Sequence, residues 1–454
     1  MAKQRWVLGL TALGFFMAMM DSMIVTTAST AIRTDFKISV SSLQWALNAY
    51  NIAIAAVLLV GVALGERFGR RRVYELGILI FCLGSIGCAL SPNIAILIGA
   101  RVVAGIGASV MTPMSMAILT QALPANRRGQ ALGIWSGIGG LALIIGPSLG
   151  GWIVTQLTWQ WIFWINLPIG LAVVGLSQRH LPESCGQAEP INWLDAWLLI
   201  FVSTGLIWAL SATTMTAISQ PLFLGLVVVI GGLSLVGGGW FIHRQNQTNT
   251  PLLPMQLFKT VAFIHGNVAT FLLYAAMYGI VFFLPQYLQV SRHATALTAG
   301  LELLPWTGTL VLVAPFAGQA VDRWGTRIVA LWGLLLQGIG YLLLVGLLVV
   351  QTTYVWLIFP LALAGVGLSM GGPALQKAVL GAATPTLLGK AAGVYNVFRL
   401  FGGAVGTTLA VIGFSSVGSY QTANRFTAGV LVAFLGAAIL SLLGCWSAWQ
   451  LKRV

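Results

Sequence analysis

Leu-Gly-Glu-Arg-Phe-Gly-Arg at residues 64–70 returns as Ala-Val-Asp-Arg-Trp-Gly-Thr at residues 320–326, an offset of 256. AGIGASVMTP at 104–113 returns as AGVGLSMGGP at 364–373, and GQALGIWS at 129–136 returns as GKAAGVYN at 389–396, both at an offset of 260. One such pair carries little weight in a chain with 54 glycines. Three pairs, in one order and at nearly one offset, indicate a duplicated unit.

The duplicated unit belongs in a bilayer. The chain is 58% hydrophobic and 7% charged, too few charges to cover so apolar a soluble protein. Apolar stretches of roughly 20 residues, the length of a helix crossing a bilayer, recur near 7–31, 43–64, 73–91, 94–119, 131–155, 162–178, 194–213, 222–242, 261–287, 297–320, 328–349, 354–376, 391–414 and 427–449. The short alternating segments of a transmembrane barrel are absent. The sequence therefore predicts an all-α polytopic membrane protein with fourteen spans and both termini on one side. The N-terminal apolar run is too long for a signal peptide and carries Asp21, so it reads as the first span.

A net charge of +14 would suit nucleic acid, but its placement suits a membrane. Of the 23 Lys and Arg, 17 fall on the side of the termini, including Lys3, Arg127, Arg128, Lys452 and Arg453. Only Arg33, Lys37, Arg292 and Arg425 fall on the other, and Arg101 and Arg399 lie within spans. That bias assigns the termini to the cytoplasm, and no nucleic-acid partner is expected.

Two six-span halves joined directly would repeat at about 190 residues, six spans of this chain being that long. The observed 260 leaves room for two more spans, at 194–213 and 222–242. The expected layout is six, two, six: an N-terminal six-helix bundle (1–180), linkers plus two inserted helices (181–258) and a C-terminal six-helix bundle (259–454), the bundles pseudo-symmetric.

In the repeated turn, Gly69 and Gly325 permit positive φ. Glu66 or Asp322 stands beside Arg67 and Arg70, or Arg323, where a carboxylate accepts from backbone N–H groups at a helix start or pairs with an arginine of the turn. The pattern suggests a mechanical contact that breaks and re-forms. Along the fifth span Gly146, Gly150 and Gly151 let another helix pack closely, and Pro147 removes a helix hydrogen bond. A bendable, gating contact is expected there.

Here a resemblance becomes specific. Gly65-Glu66-Arg67-Phe68-Gly69-Arg70-Arg71-Arg72 resembles the signature loop of the major facilitator superfamily, and Arg101 followed by Ala104-Gly105-Ile106-Gly107 resembles its fourth-span motif. Gly146-Pro147-Ser148-Leu149-Gly150-Gly151 resembles the fifth-span motif of its proton-coupled antiporters. Residues 159–170 (WQWIFWINLPIG) and 396–406, with Arg399, are similar to stretches of the fourteen-span drug:proton antiporter branch. The resemblance implies export of lipophilic organic compounds, multidrug efflux and antibiotic resistance, from a bacterial inner membrane and as a monomer.

The few acids narrow the chemistry. Of nine, only Asp21 and Glu302 fall inside spans. An ionised Asp at mid-membrane costs on the order of 3 kcal/mol, so a resident carboxylate is paired, hydrated or protonated. Counting helix rise, Asp21 lies roughly 15 Å and Arg101 roughly 10 Å below the outer surface, close enough to pair if their helices adjoin. Glu302 lies roughly 8 Å from that surface and Arg399 roughly 12 Å from the cytoplasmic one. The duplication replaces Arg101 by Leu361 and Arg399 by Gly139. The glycine framework repeats and the buried charges do not. Asp21, Arg101 and Glu302 are the expected proton-coupling residues, with Glu302 a second negative site for a cationic substrate.

Polar and aromatic residues offer a substrate lining: Trp45, Asn48, Tyr50 and Asn51 on the second span, Tyr274, Tyr278 and Phe282 on the ninth, and Arg399 on the thirteenth. His180, His243, His265 and His293 have no metal-ligand spacing, and Gly389-Lys390 sits in no phosphate-binding loop, since Thr384 replaces its first glycine and Ala391 follows. No metal, cofactor or enzyme activity is expected; the proton gradient supplies the energy. The alternatives are a proton-independent facilitator or importer of one metabolite, and a non-transporting receptor.

Overall fold

The glycines of the repeated turn sit where side-chain-bearing residues do not. Gly69 has φ +104° between α2 (Val40–Phe68) and α3 (Arg70–Ala89), and Gly325 has φ +80° within α12 (Leu304–Val349). No other described glycine has positive φ. Unbroken, the 46 residues of α12 would measure more than twice the bilayer core at about 1.5 Å per residue. The break at Gly325 makes two crossings of it.

The computed structural model describes residues 2–123, 125–185, 192–213, 220–248, 251–253, 255–350, 352–384 and 387–451. Glu189, Lys452 and Arg453, the side chains of Lys3, Arg127 and Arg128, and most side chains of residues 129–136 lie outside them. The remaining helices are α1 (Ala2–Phe36), α4 (Ile94–Ala122), α5 (Ala125–Gln156), α6 (Trp161–Trp164), α7 (Asn166–His180), α8 (Trp193–Ala212), α9 (Pro221–Gln247), α10 (Val261–Val290), α11 (Ala296–Leu301), α13 (Tyr354–Gly381), α14 (Leu388–Val417) and α15 (Ala423–Trp449). Among the described residues thirteen helices are long and apolar enough to cross a bilayer. The two parts of α2, Val40–Leu58 and Val60–Phe68, meet at 51° and make a fourteenth when taken together as one span.

Contacts divide the chain into units of residues 1–200 and 201–454. In the first, α3 lies against α4 so closely that a methyl added at Gly107 would stand 2.6 Å from the Gly77 carbonyl oxygen. In the second, Gly367 of α13 would meet the Gly333 carbonyl of α12 at 2.5 Å. These are the same contact, shifted by 260 and 256 residues. The fifth-span glycines also repeat a role: Gly146 and Gly150 lie against Met23 and Ile24 of α1, and Gly402 and Gly406 against Phe271 and Ala275 of α10. Small residues let helix backbones approach, so packing replaces the hydrophobic drive that lipid cannot supply.

Of the inserted helices, α9 packs on α8 through Gly231 against Ala209 and Gly238 against Val202. It leaves Leu222, Val228, Leu235 and Val236 exposed, a surface suited to lipid tails. Asn93, Ser39, Thr295 and Thr422 cap α4, α2, α11 and α15 with side-chain oxygens, satisfying backbone donors that a membrane helix cannot leave bare.

Candidate functional site

Close packing of α1, α4 and α5 brings two side chains together from 80 residues apart in the chain. Arg101 of α4 donates through Nη1 to Asp21 Oδ2 of α1, and both side chains are essentially sealed. Its Nε donates to the Ala46 carbonyl of α2 at 3.3 Å, and its guanidinium lies 4.2 Å from the Tyr50 ring centroid and 5.9 Å from that of Phe163. The second Asp21 oxygen accepts from Asn166 Nδ2 at 3.3 Å, which also reaches Ser85 Oγ at 3.3 Å. The cluster thus draws on every membrane-crossing helix of the first bundle except α5, whose Gly146 and Gly150 press on α1 beside Asp21.

A buried pair of this kind is held by directional contacts. Both carboxylate oxygens have donors, and the guanidinium has an acid, a carbonyl and an aromatic face. Asn166 Oδ1 has no hydrogen-bond partner. Here is a buried carboxylate with an amide beside it that has one acceptor in hand.

Tyr50, expected on a substrate lining, instead forms the wall of this pair and donates to the Ala18 carbonyl at 3.0 Å. Asn48 and Asn51 are buried on the same helix and Trp45 is half-buried, its indole N–H without a hydrogen-bond partner.

In the second unit Arg399 of α14 lies with its guanidinium 5.7 Å from the Tyr274 ring centroid, and Tyr278 and Tyr395 are further phenolic neighbours. Phe282 departs from the expected lining: it is 1% exposed, edge-on to Phe283, which stacks on Phe414. Its place is an aromatic core. Glu302 lies at the break between α11 and α12, not in the interior of a continuous helix. Its backbone carbonyl accepts from Tyr354 at 2.8 Å, its carboxylate feels Arg292, and Oε2 has no hydrogen-bond partner.

The repeated turns carry ion pairs. Glu66 takes the arginine option left open by the sequence, binding Arg70 at 2.8 and 3.0 Å from Nη2 and 3.2 Å from Nε, while Arg70 reaches Gln121 of α4. In the second unit Asp322 pairs with Lys377 of α13, not with an arginine of its own turn. Arg67 and Arg323 are exposed. The start of α3 is capped by Glu183, which accepts from the backbone N–H of Arg71 and Arg72 at 3.0 and 3.2 Å.

Sequence reasoning missed three residues here. Asn166 was quoted within a motif with no role, and Ser85 and Glu183 were not singled out. Asn166 had a detectable signal, a carboxamide in an apolar span; Glu183, in a linker, had none.

The sequence model of the Major Facilitator Superfamily matches residues 10–249 and 267–453. The chain belongs to the major facilitator superfamily. It is therefore a multi-pass membrane transporter of small molecules and not an enzyme. It is 30% identical over 431 residues to the multidrug resistance protein Stp of Mycobacterium tuberculosis, covering 94% of this chain and 76% of that protein. It is 30% identical over 447 residues to the methylenomycin A resistance protein of Streptomyces coelicolor, covering 97% and 90%. These superfamily members agree with the drug:proton antiporter branch that the motifs resemble. The fold matches the crystal structure of a D-xylose-proton symporter with a TM-score of 0.70 at 14% identity, over 99% of this chain and 98% of that one.

Proposed function

We propose that the chain is a proton-coupled exporter of lipophilic organic compounds, working by alternating access in a bacterial inner membrane with both termini cytoplasmic. No cofactor takes part. The observation that carries the reading is the sealed Asp21–Arg101 pair, whose charges the duplication did not copy.

Asp21 takes a proton from the outer side and releases it inward. Protonation removes the negative charge facing Arg101, and a buried guanidinium without its acid is unfavourable by several kcal/mol. That imbalance favours rearrangement of α1 and α4 about their glycine contacts. Asn166 is suited to both states: its amide N–H serves the carboxylate, and a flip offers the spare Oδ1 to the neutral acid's O–H. Outward substrate movement is coupled to the return of the proton inward. The repeated turns, Glu66–Arg70 and Asp322–Lys377, are the gating contacts.

Everted membrane vesicles carrying Asp21→Asn test this. They should lose substrate uptake driven by a proton gradient yet keep substrate exchange. Undiminished proton coupling would sink the assignment of Asp21, and substrate efflux that leaves cytoplasmic pH unchanged in the wild type would sink proton antiport itself.

A further inference from the structure

Arg399 poses a charge problem that its own unit does not solve. Arginine stays protonated, and a cation within a membrane helix is costly unless paired, hydrated or ligand-bound. Residues 201–454 contain two acids, Glu302 and Asp322. Asp322 is taken by Lys377, and Glu302 sits at the α11–α12 break beside Arg292. Among the described residues no carboxylate forms an ion pair with Arg399. The buried arginine of the first unit, Arg101, has Asp21.

What surrounds Arg399 is phenolic. Tyr274 and Tyr278 stand on α10, and Tyr395 lies one turn before Arg399 on α14. Tyr395 donates to the Gly372 carbonyl of α13 at 3.3 Å, which fixes its ring, and Tyr274 interacts with both Arg399 and Tyr395. Tyr274, Tyr278 and Arg399 are half-buried where Tyr395 is buried, so Tyr395 anchors one side of the cluster and the other three side chains keep partial exposure. A guanidinium fork suits a carboxylate bidentately, and phenol rings suit a flat apolar body attached to it.

We propose that the Arg399–Tyr274–Tyr278 cluster binds the carboxylate of an aromatic organic acid, so that the exporter accepts anionic substrates. This deepens the export reading and rests on it. It also reverses the cationic preference inferred from Glu302, whose place beside Arg292 at the outer break leaves no uncompensated negative charge in the interior of this unit.

Equilibrium binding to the purified full chain in detergent, read by tryptophan fluorescence, compares 2-naphthoate with its neutral isostere 2-naphthamide. The wild type should prefer the acid at least tenfold. Arg399→Gln should bring the two ligands within twofold of each other, and Arg399→Lys, which keeps the charge but loses the fork and guards against a misfolded variant, should cut the preference at least threefold. A wild-type preference below twofold, or an unchanged preference in both variants, overturns the proposal. Asp21→Asn separates it from the coupling assignment: the naphthoate preference should persist there whether or not proton-driven transport is lost, and its disappearance would overturn an anion site centred on Arg399.

Discussion

One amide nitrogen of Asn166 serves Asp21 Oδ1 and Ser85 Oγ, each at 3.3 Å, tying the candidate proton carrier to the helix break between α6 and α7. Replacing Asn166 by Leu removes the side-chain donor that Asp21 Oδ1 has among the described residues. The lost hydrogen bond to a buried charged group should cost about 1–3 kcal/mol in unfolding stability. The ratio of protons to substrate moved in vesicles should fall. Unchanged stability and stoichiometry would remove Asn166 from the coupling machinery.

Arg101 and Asp21 should behave as a unit. Arg101→Leu alone strands a buried carboxylate and should destabilise the protein by about 3–5 kcal/mol. Combining it with Asp21→Leu should recover most of that loss, because two apolar side chains then replace the pair, while proton-driven transport stays absent. Thermal unfolding of the two single variants and the double variant measures this. Additive losses would show that the two residues do not depend on each other.

Gly69 and Gly325 share a positive-φ backbone. Alanine at either position should cost roughly 1–3 kcal/mol from positive φ alone. At Gly69 the added methyl would also stand 2.7 Å from the Glu183 carboxylate, so Gly69→Ala in a Glu183→Ala background should cost less than in the wild type by unfolding. Equal costs in the two backgrounds would place the effect in φ alone.

Glu183 caps α3 with both carboxylate oxygens. Glu183→Ala should lower stability by about 0.5–2 kcal/mol, and Glu183→Gln should restore part of it, since the amide oxygen still accepts but the favourable charge at the helix start is gone. Unfolding curves of the two variants at low and high salt check this: the gap between Glu183→Gln and wild type should narrow with salt.

The duplicated turns were legible because glycine at positive φ is a local requirement, satisfied or not by one residue. The small-residue contacts were legible for a related reason, since close approach of two backbones leaves no room for a side chain, and the same gap recurs at Gly107 and Gly367. The aromatic lining was not. Tyr50 and Phe282 are ring-bearing residues on apolar helices, and nothing local distinguishes a ring that faces an opening from one that faces Arg101 or Phe283. That depends on helix rotation, which neighbouring helices set.

The sequence by itself determined a duplicated, all-helical membrane transporter with its charges in loops and two buried carboxylate candidates, because span length, charge bias and glycine spacing are properties of the chain alone. Only the tertiary structure decided that Asp21 meets Arg101 and Asn166, that Glu302 stands at a helix break, and that Arg399 has tyrosines and, among the described residues, no acid beside it. Those outcomes turn on which helices adjoin and at what rotation, and a partner 80 residues away, as Arg101 is from Asp21, leaves no mark on the local pattern of either segment.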